Sequence, residues 1–115
     1  MSKPFVLDRV QILDRLGGDE EILAMMIDMF LQDVENNCSA LSAAFASGDP
    51  ASLRREAHTI KGLLSTMSDD DGAEEALYVE QQAKAGEVAS LESAVSGLLA
   101  RVRAVAAVLQ QEVAA

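Results

Sequence analysis

Cysteine, proline and aromatic residues are scarce in this chain of 115 residues. It contains one cysteine, two prolines, three phenylalanines, one tyrosine and no tryptophan, whereas 19 residues are alanine. Because sheets favour aromatic and β-branched side chains, this composition favours closely packed helices. The single Cys38 excludes an internal disulfide and a thiolate metal cage. We therefore expect an all-α protein in a reducing compartment, the cytoplasm.

Basic residues are also few, since 9 Lys and Arg stand against 19 Asp and Glu, which gives a formal net charge of −10. Such a charge repels phosphate backbones and anionic lipid, and the longest basic run is only Arg54-Arg55. No apolar run approaches the roughly 18 residues that a spanning helix needs. We expect a single domain over residues 1–115 that binds neither nucleic acid nor membrane.

Glycine, proline and aspartate divide the sequence into five predicted helices. A glycine pair at 17–18 ends the first helix, and Asp19 caps the second. The run 48–50 (Gly-Asp-Pro) combines a helix stop, a cap and a helix start, and Gly86 ends the fourth helix. The predicted helices cover about residues 8–16, 20–47, 50–67, 71–85 and 88–112.

Apolar residues recur at helical spacing on these segments. The second helix has a broad apolar face made of Leu23, Met26, Ile27, Phe30, Val34, Leu41 and Phe45. The third helix carries a single seam of Leu53, Ala57, Ile60, Leu64 and Met67, and the fifth a seam of Leu91, Val95, Leu98, Val102, Val105 and Leu109. The fourth presents small residues that allow close helix approach, namely Gly72, Ala76, Val79 and Ala83. We predict an antiparallel up-down four-helix bundle, with the short extra N-terminal helix capping one end.

His58 lies off the seam of the third helix. At about 100° per residue from Leu53, the seam centres near 0°, whereas His58 falls at about 140° and Gly62 at about 180°. Lys61, at about 80°, can reach across one turn to a group carried by the imidazole. An exposed mid-helix glycine costs about 1 kcal/mol relative to alanine, so Gly62 indicates that a bulky partner comes close to the ring. A surface histidine without a function is the competing interpretation of these residues.

The stretch from Ala57 to Gly62 reads Ala-His-Thr-Ile-Lys-Gly and resembles the A-H-x-L-K-G signature of histidine-containing phosphotransfer (HPt) domains of bacterial two-component signalling. The resemblance covers nearly the whole chain, through the runs 16–21, 30–31, 47–49, 79–80 and 86–87. Two positions depart from the family pattern. Leu63-Leu64 follow the glycine where members commonly have small residues, and Ser68-Asp69 stand where they commonly have Gly-Ala.

The resemblance implies that His58 accepts a phosphoryl group from the aspartyl phosphate of a receiver domain and passes it to another receiver. It implies that Lys61 stabilises the phosphoryl oxygens, and that Glu80 orients the imidazole through its other nitrogen, although a solvated helix glutamate explains Glu80 equally well. Lys84 is a weaker candidate beside the phosphoryl group. The implied partners are response-regulator receiver domains and a hybrid sensor kinase, and we expect a monomer without a cofactor.

Docking of a partner protein needs an apolar surface beside the histidine. Leu63 is a candidate because it lies about 80° from the core seam. Met25 and Met29 on the second helix are two others, since methionine adapts to different partners. For each of the three, a place at the border of the bundle core is the alternative.

Kinase and metal chemistry find no support in the motifs. The sequence has no G-x-x-x-x-G-K-[ST] loop for nucleotide phosphates, and one His and one Cys cannot complete a tetrahedral metal site. The acidic run 69–72 is predicted to cap a helix, because Met67 stands where a calcium loop needs an acid. Two other interpretations stay open: a four-helix adaptor that binds receivers or partner helices without phosphotransfer, and the dimerisation and phosphoacceptor region of a sensor kinase.

Overall fold

Five α-helices make up most of the computed structural model, which describes residues 3–114. They are α1 (Arg9–Arg15), α2 (Glu20–Ser47), α3 (Pro50–Thr66), α4 (Asp70–Lys84) and α5 (Glu92–Ala114). A single 3₁₀ turn, Ala89–Leu91, precedes α5. The described residues contain no strand, so the predicted all-α class is confirmed.

Aspartate side chains begin the first four helices. Asp8, Asp19, Asp49 and Asp69 each accept a backbone N–H of the first helical turn, which satisfies a donor that has no partner within the helix. Gly48 ends α2 at a φ of 73°, a left-handed conformation that glycine adopts without strain. The first four helices therefore agree with their predicted bounds within one residue at each end. The predicted start of α5 was too early, because residues 89–91 wind into the 3₁₀ turn.

The four long helices form the predicted bundle. The most extensive packing joins α3 to α4, while α2 lies against both α3 and α5, and α5 closes the set against α4. The short α1 packs on α2 at one end. There Arg9 pairs with Glu20 at the start of α2 and with Glu112 near the end of α5, and Arg15 donates to the carbonyl oxygen of Thr66.

The core follows the predicted seams. All five seam residues of α3 are at most 1% exposed, and the seam predicted for the fifth helix is at most 3% exposed. On α2, five of the seven residues of the predicted apolar face are buried, and Met26 and Phe45 are half-buried against the core. Cys38 and Ala44 also lie in the core, and the Cys38 side chain is fully enclosed.

A buried ion pair joins the start of α4 to α5. Arg101 Nε donates to Asp69 Oδ2 at 2.9 Å, and its Nη2 donates to Oδ1. The same Oδ1 caps α4 by accepting from the backbone N–H of Gly72. A Cβ at Gly72 would lie 2.0 Å from Asp69 Oδ2, so glycine here makes room for the capping carboxylate as well as for the close approach of α3.

Candidate functional site

His58 stands on the solvent side of α3, opposite the helix's buried seam. Its side chain is 66% exposed, as its position on the helix predicts. One turn further along, a Cβ at Gly62 would meet nothing within 4 Å. The space over this turn of α3 is therefore open on the side where a second protein would meet the ring.

Glu80 on α4 links the histidine to the lysine. Its Oε2 lies 2.9 Å from Nδ1 of His58, and its Oε1 lies 2.8 Å from Nζ of Lys61. Whereas His58 is exposed, the Glu80 side chain is 15% exposed, because α4 packs closely against α3. The two adjacent helices thus hold three polar side chains in one array, with the carboxylate beneath and the imidazole outermost.

The charge of Glu80 decides which ring nitrogen is free. Partial burial on its own raises the pKa of Glu80, but the hydrogen-bonding contacts of Lys61 and His58 outweigh it, so the net pKa lies below the ordinary value. The group is therefore a carboxylate at neutral pH, which accepts and does not donate. Nδ1 of His58 carries the proton in this contact, and Nε2 of the neutral ring keeps its lone pair.

Two arginines share a shallow cavity with His58. This cavity of about 340 Å³ is lined by Ala51, Arg54, Arg55, His58, Thr59 and Glu80. Arg54 and Arg55 precede the histidine by four and three residues, so they lie one turn before it on neighbouring sides of the helix. In the sequence these two arginines form only a short basic run, although their spacing from His58 already indicates a shared face of the helix.

Lys84 is not joined to this array by an ion pair or a hydrogen bond in the part of the chain that the structure describes. It is exposed in the last turn of α4. Within residues 3–114 it makes no ion pair, whereas Lys61 is joined to Glu80. Of the two lysines, the structure brings only Lys61 into direct contact with the array.

The three apolar docking candidates differ in exposure. Met25 and Met29 are exposed on α2, whereas Leu63 is partly buried against the core. Met29 and Leu63 share a small depression of about 160 Å³ between α2 and α3, lined by Met26, Met29, Phe30, Asp33, Leu63 and Thr66. Met25 is not part of that lining. Met29 and Leu63 therefore border one depression between α2 and α3, and α3 also carries His58.

Metal-binding clusters and membrane-spanning helices are both absent from the described residues. Across residues 3–114, no three His, Cys, Asp or Glu side chains come together in a way that could hold a metal ion. None of the helices in the described range combines the length and the apolar character needed to cross a membrane.

Fold and site together define a helical bundle that presents a single histidine ring to solvent, held from beneath by a carboxylate. The Hpt domain family model matches residues 25–114, which are 90 of the 115 residues, and the chain belongs to that family. Hpt domains carry out histidine phosphotransfer in two-component phosphorelays and interact with response-regulator receivers and kinases. Neither a curated protein nor a solved structure was found to match the chain.

Proposed function

We propose that the chain is a phosphorelay intermediate in which His58 accepts a phosphoryl group from the aspartyl phosphate of one receiver domain and passes it to another. The observation that carries this proposal is the exposed His58 ring with Nδ1 held by Glu80 at 2.9 Å. Because a whole protein must deliver the phosphoryl group, the nucleophile has to stand at the surface with one nitrogen free. The family membership of the chain supports the same assignment.

The transfer proceeds by attack of His58 Nε2 on phosphorus. The new N–P bond forms as the bond from phosphorus to the aspartyl oxygen breaks, and the aspartate leaves as a carboxylate. The Nδ1 proton stays in the contact with Glu80, whose negative charge stabilises the ring as it becomes cationic. Transfer to the second receiver reverses these steps, with a fresh aspartate oxygen as nucleophile.

Lys61 supplies positive charge beside the phosphoryl oxygens. Glu80 holds the Lys61 ammonium within the array, and the Lys61 side chain is 29% exposed. The side chain can therefore turn toward a phosphoryl group on Nε2 while the α3 backbone stays in place. Lys84, in the last turn of α4, is a second source of positive charge. The open turn at Gly62 gives the receiver its approach, and Met25, Met29 and Leu63 provide the apolar contacts of a transient interface.

The decisive experiment incubates the purified chain with a panel of phosphorylated receiver domains from the same organism. We expect one receiver to label the chain with phosphate that is labile in acid and stable in base, and His58→Gln to remove the label. Labelling that persists in His58→Gln would refute the assignment of the acceptor.

A phosphotransfer-free adaptor is the alternative, which the departures from the family pattern at Leu63-Leu64 and Ser68-Asp69 favour. It predicts that the wild-type chain binds receivers and is labelled by none of them. Binding of unphosphorylated receivers, measured beside the labelling, therefore separates the two functions.

A further inference from the structure

The arginines of the His58 cavity differ in how they are neutralised. Arg55 lies 3.8 Å from Glu56 on its own helix, whereas Arg54 makes no ion pair within residues 3–114. Most other side-chain cations of the described region do have acidic partners, as in the pairs Arg9–Glu20, Lys61–Glu80, Arg101–Asp69 and Arg103–Glu35. In a chain of net charge −10, an unpaired guanidinium beside the phosphoacceptor makes this face locally positive.

We propose that Arg54 is a partner-recognition residue that binds a carboxylate on the surface of the docking receiver, next to the group that exchanges phosphate with His58. This inference rests on the proposed relay function and adds a specificity contact to it. A guanidinium suits the role because its planar fork matches a carboxylate with two parallel hydrogen bonds. The exposed rim of an interface is also where charge complementarity selects partners.

The position of Arg54 favours a protein carboxylate over the phosphoryl group itself. Arg54 lies four residues before His58, which is about 6 Å along the α3 axis, and Lys61 lies after His58 in the opposite direction. Lys61, about one turn beyond His58 on α3, already pairs with Glu80 at 2.8 Å. The array thus has its own cation for the phosphoryl oxygens. Arg54 lines the cavity beside His58 and is left to contact the surface of a docked receiver.

The test uses the receiver that labels the wild-type chain fastest. If no receiver labels the chain, it uses the one that binds the chain most tightly. Two quantities are measured for each variant. These are the Kd of the unphosphorylated receiver and the transfer rate over a range of phosphorylated receiver. We expect Arg54→Ala to raise the Kd and the half-saturating concentration about three- to tenfold and to leave the saturating rate unchanged. Arg54→Glu should weaken binding further, and Arg54→Lys should restore part of it.

Arg103→Ala is the matched control, because Arg103 is an exposed arginine on α5, 3.6 Å from Glu35 and outside the His58 cavity. Raising the salt concentration should weaken wild-type binding more steeply than binding by Arg54→Ala. An Arg54→Ala variant with the Kd and salt dependence of Arg103→Ala would overturn the proposal. So would a lower saturating rate at unchanged Kd, since that result assigns Arg54 to the phosphoryl group.

Failure of the relay function has a different signature. In that case no receiver labels the wild-type chain, while the Kd of the unphosphorylated receiver still reports on Arg54. A rise in this Kd in Arg54→Ala would then support the recognition role, and an unchanged Kd would remove it.

Discussion

Two mostly buried carboxylates of the α4 region each hold side chains from a neighbouring helix, but the groups that they hold differ in exposure. Asp69, the N-cap of α4, is enclosed with Arg101 of α5, whose side chain is 9% exposed. Glu80, on the same helix, holds Lys61 and a histidine that is 66% exposed. A buried charge that loses its partner is costly, whereas an exposed one is solvated by water. The Asp69–Arg101 pair therefore stabilises the fold, whereas the exposed His58 ring can react with a partner at little cost in stability.

The largest loss of stability should come from Arg101→Met, which removes the cation of the buried pair. The substitution leaves the Asp69 carboxylate buried without its cation, which is expected to lower the free energy of unfolding by about 3–5 kcal/mol. Urea denaturation measures this loss. The exposed Arg103→Met on the same helix is the control and should change the value by less than about 1 kcal/mol. Equal losses of unfolding free energy in the two variants would show that the buried Arg101 contributes no more to stability than the exposed Arg103.

Gly72→Ala should have the next largest effect, because it acts on the buried site through the cap. The new methyl group would lie 2.0 Å from Asp69 Oδ2 and 3.0 Å from Leu64 Cδ1, so the capping carboxylate has to move. We expect a loss of about 1–3 kcal/mol in the same denaturation experiment. Gly97→Ala is the control, since the nearest atom to its methyl group would be Glu75 Oε1 at 3.8 Å. A Gly72→Ala variant as stable as the wild type would contradict this account of the cap.

Gly62→Ala should act in the opposite direction at the exposed site. A methyl group there meets nothing within 4 Å, so the better helix propensity of alanine should raise the free energy of unfolding by about 0.5–1 kcal/mol. Gly62→Leu should keep the fold and slow transfer from a phosphorylated receiver, because its side chain occupies the approach to His58. Melting temperature and transfer rate, measured on both variants, test the two statements. A Gly62→Leu variant with normal transfer would show that the open turn has no role in docking.

The smallest effect is the pH dependence contributed by Glu80. Its pKa is lowered in the folded chain, so its contribution to stability is present above the ordinary value of 4.5 and is lost as the pH falls through the lowered pKa. The wild-type chain should therefore melt slightly above Glu80→Gln at pH 7, and the difference should vanish as the pH falls well below 4.5. Thermal unfolding of the two proteins between pH 7 and pH 3 measures it. A difference that grows toward low pH would reverse the assigned sign.

The helix bounds were predictable because the signals are local. Asp19, Gly48 and Pro50 act on the turns in which they stand, whatever the rest of the chain does. The exposure of His58 was predictable for a similar reason, since the period of the α3 seam alone defines the outer face. The apolar spacing of the fifth helix did not reveal the 3₁₀ turn at 89–91, which forms where the chain enters α5.

The contacts between distant residues could not be predicted in this way. The pairing of Asp69 with Arg101 spans 32 positions and depends on how α4 and α5 pack, so the sequence showed the aspartate only as part of a helix cap. Likewise, the contact of Glu80 with His58 came from a family resemblance and not from spacing, because it joins two helices. The role proposed for Arg54 was not predictable for another reason: its spacing from His58 is visible in the sequence, but its lack of an acidic partner within residues 3–114 is not.

The enclosed thiol of Cys38 offers a reporter that needs no engineering. It lies fully buried in the middle of α2, and burial raises the pKa of the thiol, so little thiolate is present and no reagent can reach it while the helices are closed. Alkylation of this one sulfur can therefore occur only through opening of the molecule. Its rate in dilute reagent gives the free energy of that opening directly, with and without a bound receiver.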